Sequence, residues 1–163
     1  MGLVDSAALK MTSHGAQVHL AMGSSYENIE LVQIVIAESL ARLDLTERDS
    51  GGIALAVREA VANAIKHGNR ADPAKRVEVE VEVKEDHNEV EIRVTDQGAG
   101  FDPAAVKDPL APENLLRPNG RGLLFMQEYM DEIDYTFLAE GGTRVTLRKR
   151  LAGSPAGSKE EQG

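Results

Sequence analysis

Arg58-Glu-Ala-Val-Ala-Asn-Ala-Ile-Lys-His-Gly-Asn69 is the stretch from which the fold is read. Val57, Val61, Ala64 and Ile65 recur three to four residues apart, the period of a helix with one buried face. The same period puts Glu59, Asn63 and His67 on another stripe at i, i+4, i+8. A carboxylate, an amide and an imidazole on a largely buried helix call for a shared partner, because unpaired buried polar groups are costly. For the spacing alone, a solvated helix edge is an equally good reading. Gly68-Asn69 supplies the helix stop, with Lys66 and His67 in the last turn, where cations suit the helix dipole.

Downstream, Val77-Glu-Val-Glu-Val-Glu-Val83 alternates without a fault, so its valines face a core and Glu78, Glu80 and Glu82 face water. A solvated sheet face explains these carboxylates better than an acidic binding surface does. Asp86-His-Asn88 turns the chain into Val90, Ile92 and Val94, making an antiparallel hairpin whose second strand ends at Asp96. There Asp96-Gln-Gly98-Ala-Gly100 combines a carboxylate, able to accept from an exocyclic amine, with glycines that permit close approach. As a bare pattern it is weak. Residues 102–119 hold four of the six prolines, Pro103, Pro109, Pro112 and Pro118, and read as a lid. Gly120-Arg-Gly-Leu123 then opens a helix to about Met130, a helix N-terminus suited to phosphate, with Arg117 and Arg121 able to add charge-assisted bonds. Strands near Glu132 to Leu138 and Thr143 to Lys149, joined by Glu140-Gly-Gly142, close the domain.

Upstream, Thr46 with Asp49 forms a capping box for the helix that carries the motif. Gly51 and Gly52 fall inside that helix, each costing about 1 kcal/mol relative to Ala, and either allow close packing or mark a bend. A preceding helix is expected from Tyr26 to Leu43, capped by Ser24 or Ser25, with Glu27 three after Ser24 as in a capping box, and a short strand from Gln17 to Met22. Residues 1–15 read as a loose lead-in. His14 and His19 receive no chemistry, having no metal-ligand spacing around them. Residues 16–150 form the single domain, with the lid at 101–119, and 151–163 is a disordered tail.

A chain of 163 residues with 42% hydrophobic and 28% charged residues is an ordinary soluble globular composition. It contains no Cys, which removes disulfides, thiolate chemistry and Cys-ligated zinc. The net charge of -9, with no offsetting basic cluster, argues against direct nucleic-acid binding. No run of about 18 apolar residues or signal-peptide pattern is present, so a cytoplasmic protein without membrane contact is expected.

Taken in order, Glu59-x-x-x-Asn63, Asp96-x-Gly98-x-Gly100 and Gly120-x-Gly122 resemble the N, G1 and G2 boxes of the GHKL (Bergerat-fold) ATPase superfamily. Glu-Ala-Val-Ala-Asn-Ala-Ile-Lys-His-Gly and the closing Gly-Gly-Thr-Arg-Val-Thr-Leu are most similar to the anti-sigma factor serine/threonine-protein kinases of bacterial partner switching. The resemblance covers roughly Gln17 to Arg150. It implies an α+β fold: a two-layer sandwich with a mixed, mostly antiparallel sheet covered on one face by helices. It also implies ATP and Mg²⁺, with Asn63 holding the metal and Glu59 orienting or deprotonating the attacking hydroxyl. Lys66 would reach phosphate and His67 would pack near the nucleotide. Asp96 would take the adenine amino group, with Gly98, Gly100 and Thr143 shaping the pocket. Gly120, Arg121, Gly122 and Leu123 would wrap the phosphates. Some relatives carry an arginine immediately before the small residue and glycine of the third box. Here Pro118 stands there and Arg117 is displaced by one, leaving Arg117 and Arg121 as candidates for the γ-phosphate.

The partners implied are a STAS-domain anti-anti-sigma protein as substrate and an RNA polymerase sigma factor as competing partner, and family members commonly form homodimers. Similar kinases phosphorylate STAS proteins without binding a sigma factor. Two alternatives use the same boxes. One is an ATP-gated binding module without significant transfer. The other is a detached histidine-kinase ATPase domain, which would need a phosphoacceptor histidine on a dimerising helix.

Overall fold

A computed structural model describes residues 6–12, 15–99 and 121–151. Six strands form one sheet: β1 (Ser6–Thr12), β2 (Gly15–Gly23), β3 (Arg76–Lys84), β4 (Glu89–Thr95), β5 (Glu132–Phe137) and β6 (Thr143–Arg150). Their spatial order is β1-β2-β3-β4-β6-β5, and every pairing among the described residues is antiparallel, where a mixed, mostly antiparallel sheet was expected. Helices α1 (Asn28–Leu40), α2 (Glu47–Asn63) and α3 (Arg121–Tyr129) accompany it. The lead-in expected over residues 1–15 contains β1, which pairs along its length with β2. Only Ser13 and His14 separate the two strands, so cross-strand pairing supplies what the local pattern did not signal.

The β3–β4 hairpin behaves as its alternation requires. Val77, Val79, Val81 and Val83 are buried, as are Val90, Ile92 and Val94. Against them α2 places Ile53, Ala56, Val57, Ala60 and Val61, all essentially inaccessible, and α1 places Val32, Ile36 and Leu40. Met126 and Met130 complete the core at and just beyond α3. Each such aliphatic side chain contributes roughly 1.5–3 kcal/mol through burial. The two-layer α+β sandwich is thus the hydrophobic consequence of one-sided strands and helices.

Thr46 caps α2 as expected, its hydroxyl accepting from the Asp49 N–H at 3.1 Å. The capping box expected at Ser24 and Glu27 does not form. Helix α1 begins only at Asn28, no side chain caps its N-terminus, and Ser24 is buried, accepting from Asn69 Nδ2 at 2.6 Å. Gly52 resolves as a packing glycine: a methyl there would overlap the Cβ, Cγ and Cδ1 atoms of Tyr129 on α3. Gly51 is exposed, with open space where a methyl would go.

On the sheet face opposite α2, the carboxylates expected to be simply solvated are organised. Arg93 pairs with Glu80 at 3.1 Å, Glu82 at 3.3 Å and Glu91 at 2.6 Å. Arg148 reaches Glu91 at 2.8 Å and Asp134 at 2.5 Å, and Lys84 reaches Glu91 at 2.7 Å. His19 Nε2 lies 3.5 Å from Glu78. Glu91, only 5% exposed, is the hub. Burial alone would raise its pKa, but hydrogen bonds from Lys84 and Arg148 and the charges of Lys84 and Arg93 outweigh it, holding the carboxyl down at about 2 from an ordinary 4.5. Among the described residues no helix is long and apolar enough to cross a membrane.

Two predictions follow from this packing. Gly51→Ala should raise the unfolding free energy by up to about 1 kcal/mol, whereas Gly52→Ala should lower it by about 1–3 kcal/mol; equal responses in urea titration would refute the assignment of Gly52 to the α2–α3 contact. Because the folded pKa of Glu91 is depressed, its stabilisation is present above pH 4.5 and is lost as pH falls toward 2. The loss should be about 3 kcal/mol, and a Glu91→Gln protein should lack that part of the acid dependence.

Candidate nucleotide site

The site is assembled where β4 ends beside the start of β6. Asp96, just past β4, donates its N–H to the Thr143 carbonyl at 3.0 Å. Its Oδ1 accepts from the Gly98 N–H at 2.9 Å and from the Thr143 N–H at 3.1 Å. Among the described residues no hydrogen bond engages Oδ2. The side chain is 7% exposed. Burial raises its pKa above the ordinary carboxylate value, against the lowering effect of the two N–H groups and the charge of Lys75.

Three glycines permit the close packing around Asp96. A methyl on Gly68 would overlap the Asp96 carboxyl, one on Gly98 would overlap the Gly68 carbonyl, and one on Gly142, at φ +100°, would overlap the Asp96 carbonyl. The end of the motif helix is therefore in direct contact with the Asp96 turn.

That contact depends on how α2 ends. From Ala64 to Gly68 the helix widens into a π-turn, closed by the Asn69 N–H to the Ala64 carbonyl at 2.8 Å. Arg70 and Ala71 then take left-handed backbone angles, φ 53° and 55°, and the chain turns toward β3. Such wide turns recur at functional sites. The widening breaks the i, i+4, i+8 stripe: Glu59 and Asn63 stay half-buried on α2, while Lys66 and His67 are exposed. Among the described residues no hydrogen bond engages the Glu59 or Asn63 side chain, and no trio of His, Asp or Glu has the geometry of a metal cage.

The structure thus brings Asp96, Gly98 and Thr143 together next to the end of the helix that carries Glu59 and Asn63. Arg121, Gly122 and Leu123 form the first turn of α3. Gly100, Arg117, Gly120, the lid at 101–119 and the tail from 152 lie outside the described residues. Four residues of the site escaped the sequence reading. Gly68 and Asn69 read as a helix stop, Gly142 as part of the link between the last two strands, and Lys75 received no reading. The adjacency of Gly68-Asn69 to the motif was the available signal.

Residues 22–149 match the model of the histidine kinase-like ATPase domain family. The chain belongs to this GHKL ATPase superfamily, in its anti-sigma factor branch. It is 32% identical over 142 residues to the anti-sigma F factor of Oceanobacillus iheyensis, covering 85% of this chain and 94% of that protein. It is 33% identical over 144 residues to the anti-sigma F factor of Geobacillus kaustophilus, covering 86% and 96% respectively. Among solved structures it is similar to the RsbU and RsbW domains of a Mycobacterium tuberculosis protein, with a TM-score of 0.60 at 23% identity. That match covers 83% of this chain and 32% of the other, and supports the fold.

Asp96 carries a testable signature. With its folded pKa raised, the stability it contributes is full below the ordinary value of 3.8 and is lost as pH rises through the folded value. Asp96→Asn keeps an acceptor for Gly98 and Thr143 without the cost of a buried charge. At pH 7 its unfolding free energy should equal or exceed that of the native chain, and a loss above about 1 kcal/mol would contradict the burial argument.

Proposed function

We propose that the chain is an ATP-dependent serine/threonine-protein kinase that phosphorylates a STAS-domain anti-anti-sigma protein and, in the alternative partner state, sequesters a sigma factor. The observation that carries this reading is Asp96. Its carboxyl group is buried, held by one oxygen and, among the described residues, unengaged at the other, with Gly68, Gly98 and Gly142 packed closely around it beside the helix that bears Glu59 and Asn63. A carboxyl group raised in pKa by burial, with an oxygen that no described residue engages, is suited to a ligand donor, and the exocyclic amine of adenine is one.

In this reading Asp96 Oδ2 accepts from the adenine amine, and Gly98, Gly100 and Thr143 shape the pocket around the base. Asn63 would contribute its amide oxygen to Mg²⁺. The donor set fits that ion, because Mg²⁺ retains waters and phosphate oxygens and needs few protein ligands. Bound there, it would neutralise charge on the phosphates. Glu59, one turn before Asn63, receives the proton of the attacking serine or threonine hydroxyl as its oxygen bonds to the γ-phosphorus and the bond to the ADP oxygen breaks. Lys66 and His67, both exposed, are available to phosphate and nucleotide. Gly120, Arg121, Gly122 and Leu123, with Arg117, take the phosphates under the lid. The anti-sigma F factor relatives support the sigma factor as competing partner.

Incubation with labelled ATP and the STAS proteins of the source organism tests this directly. Labelled serine or threonine should appear, and Glu59→Gln should slow transfer by about 10²–10⁴-fold with ATP affinity little changed. Tight ATP binding without transfer to any candidate would replace the kinase reading with the ATP-gated sequestering module.

A further inference from the structure

The sequence marks Asn69 only as part of a helix stop, yet it is completely buried. Its amide is used in both directions. Nδ2 donates to Ser24 Oγ at 2.6 Å and to the Arg76 carbonyl at 2.8 Å, and Oδ1 accepts from the Gln97 N–H at 2.8 Å. Its own N–H closes the π-turn on Ala64. One side chain therefore joins the end of β2, the start of β3, the end of α2 and the turn between Asp96 and Gly98. Gln97 completes a ring, its Oε1 accepting from the Arg76 N–H at 2.8 Å.

We propose that Asn69 is a positioning residue for adenine recognition, locking the Asp96-Gln-Gly98 turn against the helix that carries Glu59 and Asn63. The inference rests on the nucleotide reading of the site. Gln97 lies between the two residues whose arrangement aims the carboxyl group, since the Gly98 N–H holds Asp96 Oδ1. Fixing the Gln97 N–H fixes that turn. Only an amide of this length meets the demand: Asp has no donor for Ser24 and the Arg76 carbonyl, and Gln adds a methylene to a filled site. The Gly68–Asp96 contact brings the two segments together, and Asn69 sets their relative orientation.

A mere core staple would affect stability alone, so the test reads recognition. Dissociation constants for ATP and GTP, with Mg²⁺, are measured on the native chain and on Asn69→Ala, Asn69→Asp and Gln97→Ala, alongside transfer rates at saturating ATP. The carboxylate favours adenine because guanine presents a carbonyl oxygen at the equivalent position. Asn69→Ala should bind ATP about tenfold or more weakly and lose most of its preference for ATP over GTP, with the saturated rate within about threefold of native. Asn69→Asp, which keeps the acceptor for Gln97, should fall between the two. Gln97 is exposed, so Gln97→Ala opens the ring without emptying the core and should shift the same ratio in the same direction. Folded Asn69→Ala with native ATP affinity and native ATP-to-GTP ratio overturns the proposal. If that variant fails to fold, native values in Gln97→Ala overturn it instead. Absence of ATP binding by the native chain would overturn the nucleotide reading, and this inference with it.

Discussion

The contact between Gly68 and Asp96 is the constraint on which the rest of the site depends. Helix α2 spans the core, and its last turn must come within touching distance of the strand end that carries the carboxyl group. Two features make that possible: no side chain at Gly68, and a π-turn that swings the chain from the helix axis toward β3. The buried stripe from Ile53 to Ile65 anchors the helix so firmly that its end has one place to go. Packing therefore converts a hydrophobic period into a fixed distance between the helix end and Asp96.

Polar chemistry is treated differently on the two faces of the sheet. On the open face, Glu91 is surrounded by Lys84, Arg93 and Arg148, and its charge is stabilised well beyond what burial costs it. At the crevice, Asp96 has backbone N–H groups on one oxygen and only the more distant Lys75 charge, so burial prevails. Two acidic residues five positions apart, on the same strand and just past its end, thus acquire opposite characters. One is structural because its partners are already in the protein. The other has, among the described residues, hydrogen bonds to one carboxyl oxygen alone.

Much of this was legible because it rests on periodicity. Val77 to Val83, Val90 to Val94 and the α2 stripe each specify a face, and Thr46 with Asp49 specifies a helix start, so the two-layer sandwich follows. Asp96, Gly98 and Thr143 were readable as a set only through their resemblance to an ordered family motif. What escaped was non-local. Strand β1 is defined by pairing with β2, not by its own pattern. Ser24 looked like a helix cap because capping is a short-range rule, but a residue 45 positions away claims its hydroxyl. Asn69 looked like punctuation because nothing nearby shows that β2, β3 and the Asp96 turn converge on it. The expected stripe through His67 failed at the π-turn, which a fixed helical period does not anticipate.

The strand order has a bearing on how the protein is made. Asp96 receives its second N–H from Thr143, 47 residues later, because β6 inserts between β4 and β5. The α2 end, the β3–β4 hairpin and the Asp96 turn all precede that strand in synthesis. A chain released before β6 can possess every motif residue up to Gly122 and still lack the backbone that holds the carboxyl group. Closing so long a loop is also among the slower steps in folding. The arrangement around Asp96 is thereby tied to the arrival of β6, and a chain lacking that strand cannot assemble it.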